Sequence, residues 1–200
     1  MKENILHKAT DMFITLGFKS VTMDDLANEM GISKKTIYKH FKNKTTLVEA
    51  SSFSLFETVA SGINQIYDEK HNPIAELYEI KNFVRVYLKY ENSSPQYQLQ
   101  KYYPKIYKSL KAKQFDVMHS CVIDNLNRGI EIGLFRSSID VEFIARLYFS
   151  NMSIIKDIEL FPQNLFSVNT SMENYLEYHI RGISTDKGLL LLNNLITKSE

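Results

Sequence analysis

Apolar residues recur along this chain with the spacing of helices, not of strands. Ile5, Leu6, Ala9, Met12, Phe13 and Leu16 fall at i, i+1, i+4, i+7, i+8 and i+11, one face of a first helix that Gly17 stops. In "VTMDDLANEM", Thr22 followed three residues on by Asp25 is a capping-box pattern, and Leu26, Ala27 and Met30 form the inner face of a short second helix ended by Gly31. Ser33 caps a third, "KKTIYKHF", in which Ile37 and Phe41 are inward i,i+4 partners. Asn43 caps a fourth, from Lys44 to about Tyr67.

The helical period continues. Pro73 opens a helix to about Asn92, "NSSP" at 92–95 makes a turn, and a short helix runs to about Tyr103. Pro104 opens a long helix to about Gly133; further helices cover Asp140 to about Glu159, Met172–Ile183 and Lys187 to about Lys198. Sustained alternation with hairpin turns is absent, so the pattern predicts an all-α chain without a sheet. The fourth helix runs from an N-terminal bundle, 1–47, into a larger helical domain, 48–200, with no low-complexity linker between them.

Composition changes this picture little until charge is placed. The 44% hydrophobic and 24% charged content are those of an ordinary globular chain, and the net charge is +1. Residues 1–48, however, carry eight lysines against five acids, and five of those lysines lie in "GISKKTIYKHFKNK", 31–44, which has no acid. A single cysteine, Cys121 in an apolar helical stretch, excludes an internal disulfide and is expected to be a buried thiol. No run of about 18 apolar residues exists for a membrane span, and the start lacks the continuous apolar core of a signal peptide, so a cytoplasmic protein without membrane association is expected.

Two short helices joined by Gly31-Ile32-Ser33 form a helix-turn-helix. With Ile37 and Phe41 turned inward, Lys34, Lys35, Thr36, Tyr38, Lys39 and His40 face outward on the second helix. Such a helix fits the DNA major groove, and its lysines answer phosphates. Confinement of the charge to this stretch matches a partner that touches only this face.

"TMDDLANEMGISKKTIYKHFKNKTTLVEA", 22–50, resembles the DNA-binding signature of the TetR family of bacterial transcriptional regulators in order, spacing and residue type. The resemblance covers residues 1–50 closely. Beyond them it is architectural, with an echo in "NRGIEIGLFRSSIDVEFIARLY", similar to the Gly-Leu-Phe-Arg turn before the penultimate long helix in many members. The family pattern implies phosphate contacts from Thr22 and Lys44, backbone contacts from Ser33 and His40, and base or phosphate contacts from Lys34, Lys35, Thr36, Tyr38 and Lys39. Members often carry Gly where this chain has Lys35, so the operator does not transfer.

The resemblance also implies a two-fold dimer on palindromic double-stranded DNA, formed by the last two long helices. Ile144, Leu147, Tyr148, Asn151 and Ile155, with Ile158, mark one of these. Met172, Tyr175, Leu176, His179, Ile180 and Ile183 form a stripe on the other. It further implies an effector held by the middle helices. Their candidates are Phe83, Tyr87, Tyr90, Tyr102 and Tyr103, then Phe115, Met118, His119 and Val122, which suit an apolar or aromatic small molecule. Lys89, Lys101 and Lys105 are expected at the surface.

The expected function is a ligand-responsive repressor with no metal and no cofactor. A constitutive DNA-binding regulator without effector is the alternative. A DNA-acting enzyme is disfavoured, since no Gly-rich phosphate loop, metal-ligand spacing or catalytic cluster is found.

Overall fold

In the computed structural model, residues 1–88, 95–157, 159–162 and 164–197 are described, with Tyr87, Leu88 and Pro95 described by backbone alone. Tyr90, Lys89, Ile158, Lys198 and most of the turn at 92–95 lie outside the described residues. The described residues form ten helices: α1 Lys2–Leu16, α2 Met23–Met30, α3 Lys34–Tyr38, α4 Lys44–Asp68, α5 Pro73–Leu88, α6 Pro95–Tyr102, α7 Pro104–Glu131, α8 Val141–Ile154, α9 Val168–Ile183 and α10 Asp186–Thr197. Among them the only β pairing is an isolated antiparallel bridge between Phe135 and Ser184.

The chain divides into two compact units, Met1–Ser61 with Tyr87–Gln114, and Gly62–Val86 with Phe115–Glu200. The boundary therefore falls within α4, beyond the expected 47/48, and the first unit takes in α6 and the start of α7.

The core of the first unit gathers Ile5, Ala9 and Phe13 of α1, Leu26 of α2, Ile37, Phe41, and Leu47 and Val48 of α4. Leu99 of α6 and Ile106 of α7 join it. Leu16, expected on the inward face, is instead 55% exposed. Gly17 turns the chain there at φ 88, and Phe18 takes the inward place, its ring 5.3 Å from that of Phe13. The carboxamide of Gln98 sits where a Cβ on Gly17 would project, and its Oε1 accepts the Lys19 N–H at 3.0 Å, so α6 is keyed to the end of α1.

In the second unit, Ile74 and Leu77 of α5, Val122 and Leu126 of α7, Tyr148 of α8, Leu176 and Ile180 of α9 and Leu192 of α10 form one core. A polar network crosses it. Glu76, 2% exposed, receives Arg128 Nη2 on both carboxylate oxygens at 2.7 Å. Asn125 Nδ2 donates to Glu76 Oε1 at 2.7 Å and to Pro73 O at 3.0 Å, while Arg128 Nε donates to Asp124 at 2.6 Å. Asn72 caps α5 by accepting from the N–H groups of Ile74 and Ala75. Cys121, on α7 in the same unit, is a half-buried free thiol whose pKa burial pushes up.

The limits of α8 and α9 differ from the periodic pattern. α8 ends at Ile154, not near Glu159, and α9 begins four residues before Met172. Ser167 explains the second: its hydroxyl accepts the Thr170 N–H at 3.1 Å and starts the helix ahead of the apolar stripe.

Candidate nucleic-acid interface

The helix-turn-helix is built by short-range chemistry. Thr22 Oγ1 accepts the Asp25 N–H at 3.1 Å, and Asp25 Oδ2 accepts the Thr22 N–H at 2.8 Å, closing a reciprocal box at the start of α2. The Thr22 hydroxyl, donating to Asp25 Oδ2 at 2.7 Å, and then the Thr22 N–H hold the Asp25 carboxyl below its ordinary pKa. Gly31 ends α2 in the left-handed conformation, φ 62 and ψ 31, which turns the chain without the penalty a side chain would bring. Ser33 Oγ then accepts the Thr36 N–H at 3.1 Å and starts α3.

α3 is shorter than the 34–41 expected, ending at Tyr38, yet its anchoring survives. Ile37 is fully buried, and Phe41, past the helix, stays 4% exposed with its N–H on Ile37 O at 3.0 Å. Lys35, Lys39 and His40 are exposed, as is Tyr38 at 43%. Ser33 and Thr36 are turned toward each other, their hydroxyls 2.8 Å apart.

Two lysines behave differently from their exposed neighbours. Lys34 Nζ lies 2.7 Å from Asp24 of α2, and this bond holds its ammonium above the ordinary pKa. The acid-free run is thus answered by an acid on the preceding helix, which the run itself does not reveal. Lys44, at the start of α4, is partly buried; burial lowers its pKa, and its Nζ donates to the Lys19 carbonyl at 3.3 Å. Lys44 thus reaches from α4 to the α1–α2 turn, at whose end Thr22 stands, within the unit that carries α3.

The residues expected to hold an effector are distributed between the two units. Tyr102 and Tyr103 belong to the first, where Tyr103 packs on Phe18 with ring centres 6.3 Å apart. Phe83, Phe115, Met118, His119 and Val122 belong to the second. There Phe115 stacks against Phe149 at 5.1 Å, His119 Nε2 lies 2.8 Å from Glu142, and Val122 is part of the core. Tyr90 and the Tyr87 side chain are outside the described residues.

The stripes expected to meet a second copy are used within the second unit. Tyr148, Ile155, Met172, Leu176, His179, Ile180 and Ile183 are each at most 9% exposed. Ile144, Asn151 and Tyr175 are half-buried, Asn151 Nδ2 donating to Tyr175 Oη at 3.4 Å. Of the expected residues only Leu147 is exposed, at 39%. Phe143, Ile154 and Tyr178, at 60%, 43% and 77%, are the large apolar side chains α8 and α9 turn outward with it. Periodicity misses them because α8 is apolar on more than one face.

Glu69, His71 and Glu79 bring three possible ligand atoms within 4.8 Å of one another. Both ring nitrogens of His71 face carboxylates, Nδ1 to Glu79 at 2.5 Å and Nε2 to Glu69 at 3.5 Å. These contacts, Glu79 first, raise the imidazole pKa. No described helix is long and apolar enough to cross a membrane.

Comparison with known proteins points the same way as the geometry. Residues 5–51 match the profile of bacterial regulatory proteins, tetR family. Over 194 residues, 94% of this chain and 92% of the other, the sequence is 24% identical to the HTH-type transcriptional repressor KstR2 of Mycolicibacterium smegmatis. The fold is similar to a transcriptional regulator from Cytophaga hutchinsonii, with TM-score 0.72, 18% identity and coverage of 92% of this chain and 98% of that one. It is also similar to Thermus thermophilus FadR, a transcriptional repressor solved in complex with lauroyl-CoA, with TM-score 0.60, 15% identity and coverage of 92% and 96%.

Proposed function

Because the chain belongs to the TetR family of bacterial regulatory proteins, we propose that it is a homodimeric repressor that releases a palindromic operator when a small apolar effector binds. The observation that carries the DNA reading is α3: five residues long, capped by Ser33 and pinned by Ile37, it turns Lys35 and Tyr38 outward with Lys39 and His40 just beyond its end. A helix this short has no stability of its own, so its placement depends on the packed unit beneath it. Lys35 and Tyr38 suit base edges; Thr22, Lys39, His40 and Lys44 suit phosphates.

The second copy, in this reading, meets the outward faces of α8 and α9 through Phe143, Leu147, Ile154 and Tyr178. To read a palindrome, an isologous pair needs its two α3 helices about one helical turn of DNA apart. KstR2 is a repressor, and Thermus FadR is a repressor solved in complex with lauroyl-CoA, an apolar acyl chain on a polyanionic carrier; the first supports repression and the second supports control by an effector with an apolar part. Ligand acts by binding one conformer better than the other.

Selection from a random duplex pool tests the reading. The protein should retain palindromes, with affinity falling by about 10³–10⁵ between 50 and 200 mM salt if the dimer neutralises about 6–10 phosphates. Recovery of no preferred duplex, or a flat salt response, overturns it. Lauroyl-CoA and a panel of uncharged apolar compounds test the effector: one of them should both raise the melting temperature and release the duplex.

A further inference from the structure

The first unit carries positive charge that the recognition helix does not account for. From Asn92 to Phe115 the sequence has five lysines and no acid. Only Lys113 finds a carboxylate, that of Glu57 at 3.1 Å; Lys101, Lys105, Lys108 and Lys111 are exposed and pair with none among the described residues. One of them joins the DNA-facing part of the unit through an aromatic ring. Lys101 Nζ lies 5.7 Å from the ring centre of Tyr102, and Lys19 Nζ, from the α1–α2 turn, lies 5.0 Å from the same centre. Lys101 Nζ also donates to the Tyr97 hydroxyl at 3.2 Å and stands 5.3 Å from the Tyr97 ring.

Two ammonium groups on one ring are therefore separated by no more than about a Debye length, and neither has an ion-pair partner among the described residues. The aromatic quadrupole holds each cation in place but does not neutralise either. An external anion does. Lys19 is also the residue whose carbonyl accepts the Lys44 ammonium at 3.3 Å, so the pair continues from the residue proposed to hold a phosphate beside the helix-turn-helix. Gln98 fixes the arrangement by bonding the Lys19 N–H at 3.0 Å, which ties α6 to the α1–α2 turn.

We propose that Lys19 and Lys101, converging on Tyr102, form a second phosphate-contact surface that holds the operator's flanking backbone outside the half-site read by α3. Resting on the DNA-binding reading above, it extends that interface to α6. Duplex DNA is the occupant favoured here because a row of phosphates matches separated, exposed ammoniums. The contiguity with Lys44 puts the surface on the same duplex. The contact is sequence-neutral: it adds affinity and salt dependence without changing which bases are chosen.

The test uses duplexes that the full-length wild type retains from a random pool, in a long form and in a form trimmed to the two half-sites. Lys101→Gln and Lys19→Gln keep the stems and remove the charge; circular dichroism and melting establish that each is folded. On the long duplex each variant should bind roughly three- to tenfold more weakly at low salt, with the slope of log affinity against log salt shallower by about 1–2, one phosphate per subunit. On the trimmed duplex the difference from wild type should vanish, and the base preference recovered from the pool should be unchanged. Lys70→Gln, in the second unit, controls for net charge and should leave both slopes as in wild type. The proposal is overturned if Lys101→Gln equals wild type on the long duplex, or if Lys70→Gln produces the same loss. If wild type itself retains no duplex, the DNA-binding reading fails and this surface fails with it.

Discussion

Lys34 and Lys35 are adjacent and carry the same charge, but only one of them is available to a phosphate. Lys34 is held 2.7 Å from Asp24, so binding DNA means exchanging one anion for another. Lys35 has no such partner among the described residues. Lys35→Ala should therefore reduce the salt slope of DNA binding more than Lys34→Ala does. Asp24→Asn, which frees Lys34, should tighten binding by several-fold; competition titrations on one duplex resolve the order. His179 gives a residue-scale prediction of another kind. Its burial beside Tyr148, ring centres 4.9 Å apart, pushes the imidazole pKa down to about 4 from an ordinary 6.5. The folded state thus resists protonation that the unfolded chain accepts. The stability this contributes is present above about 6.5 and is lost as pH falls toward 4, a change of about 3 kcal/mol for this one group. Denaturant titrations of wild type and His179→Leu through that window should show the variant losing less stability as pH falls.

At the scale of elements, the helices were legible wherever their signals are local. Thr22 with Asp25, Gly31, Ser33 and Asn43 each act within three or four residues, and each cap or stop is where the pattern put it. Ser167 escapes the pattern because its cap precedes the apolar stripe by a turn, 168–171, in which only Val168 is apolar. The faces of α8 were illegible for a different reason. Phe143, Leu147 and Ile154 lie on one side and Ala145, Tyr148 and Ile155 on another, all apolar, so spacing alone does not say which side meets the core. The place of α6 is decided by Leu99 and Gln98 meeting residues some 80 positions earlier, which no periodicity records. Buried polar pairing is equally non-local. Arg128→Met leaves the Glu76 carboxylate, 2% exposed, without its cation; unfolding free energy should fall by about 3 kcal/mol, at the lower end for broken buried pairs because Arg128 keeps 28% of its side chain in solvent.

For the whole molecule, in the proposed dimer the two kinds of apolar residue on α8 and α9 separate folding from assembly. Leu176→Glu places a charge in a core where the leucine is fully buried, and the protein should fail to fold. Phe143→Glu with Tyr178→Glu alters side chains 60% and 77% exposed, so the chain should keep its helicity and melting cooperativity while losing the dimer. Sedimentation velocity beside circular dichroism distinguishes the outcomes. A folded dimer in the double variant moves the interface off these faces. The monomer should also bind DNA with about half the wild-type salt slope, since each subunit contributes its own phosphate contacts.

Cys121 turns the second unit into its own clock. The chain has one thiol, half-buried on α7, with a proton that burial holds more tightly than in a free cysteine. An alkylating reagent added in excess reacts fast only with molecules whose second unit has opened, because the thiolate forms readily only there. The modification rate, followed by mass, then reports how often this half of the protein breathes, with no label and no mutation. An effector that tightens the unit should lower the logarithm of the rate in proportion to the binding free energy it contributes. Measured with a DNA duplex present as well, the same effector titration gives the sign of the coupling between the two ligands, which is reciprocal.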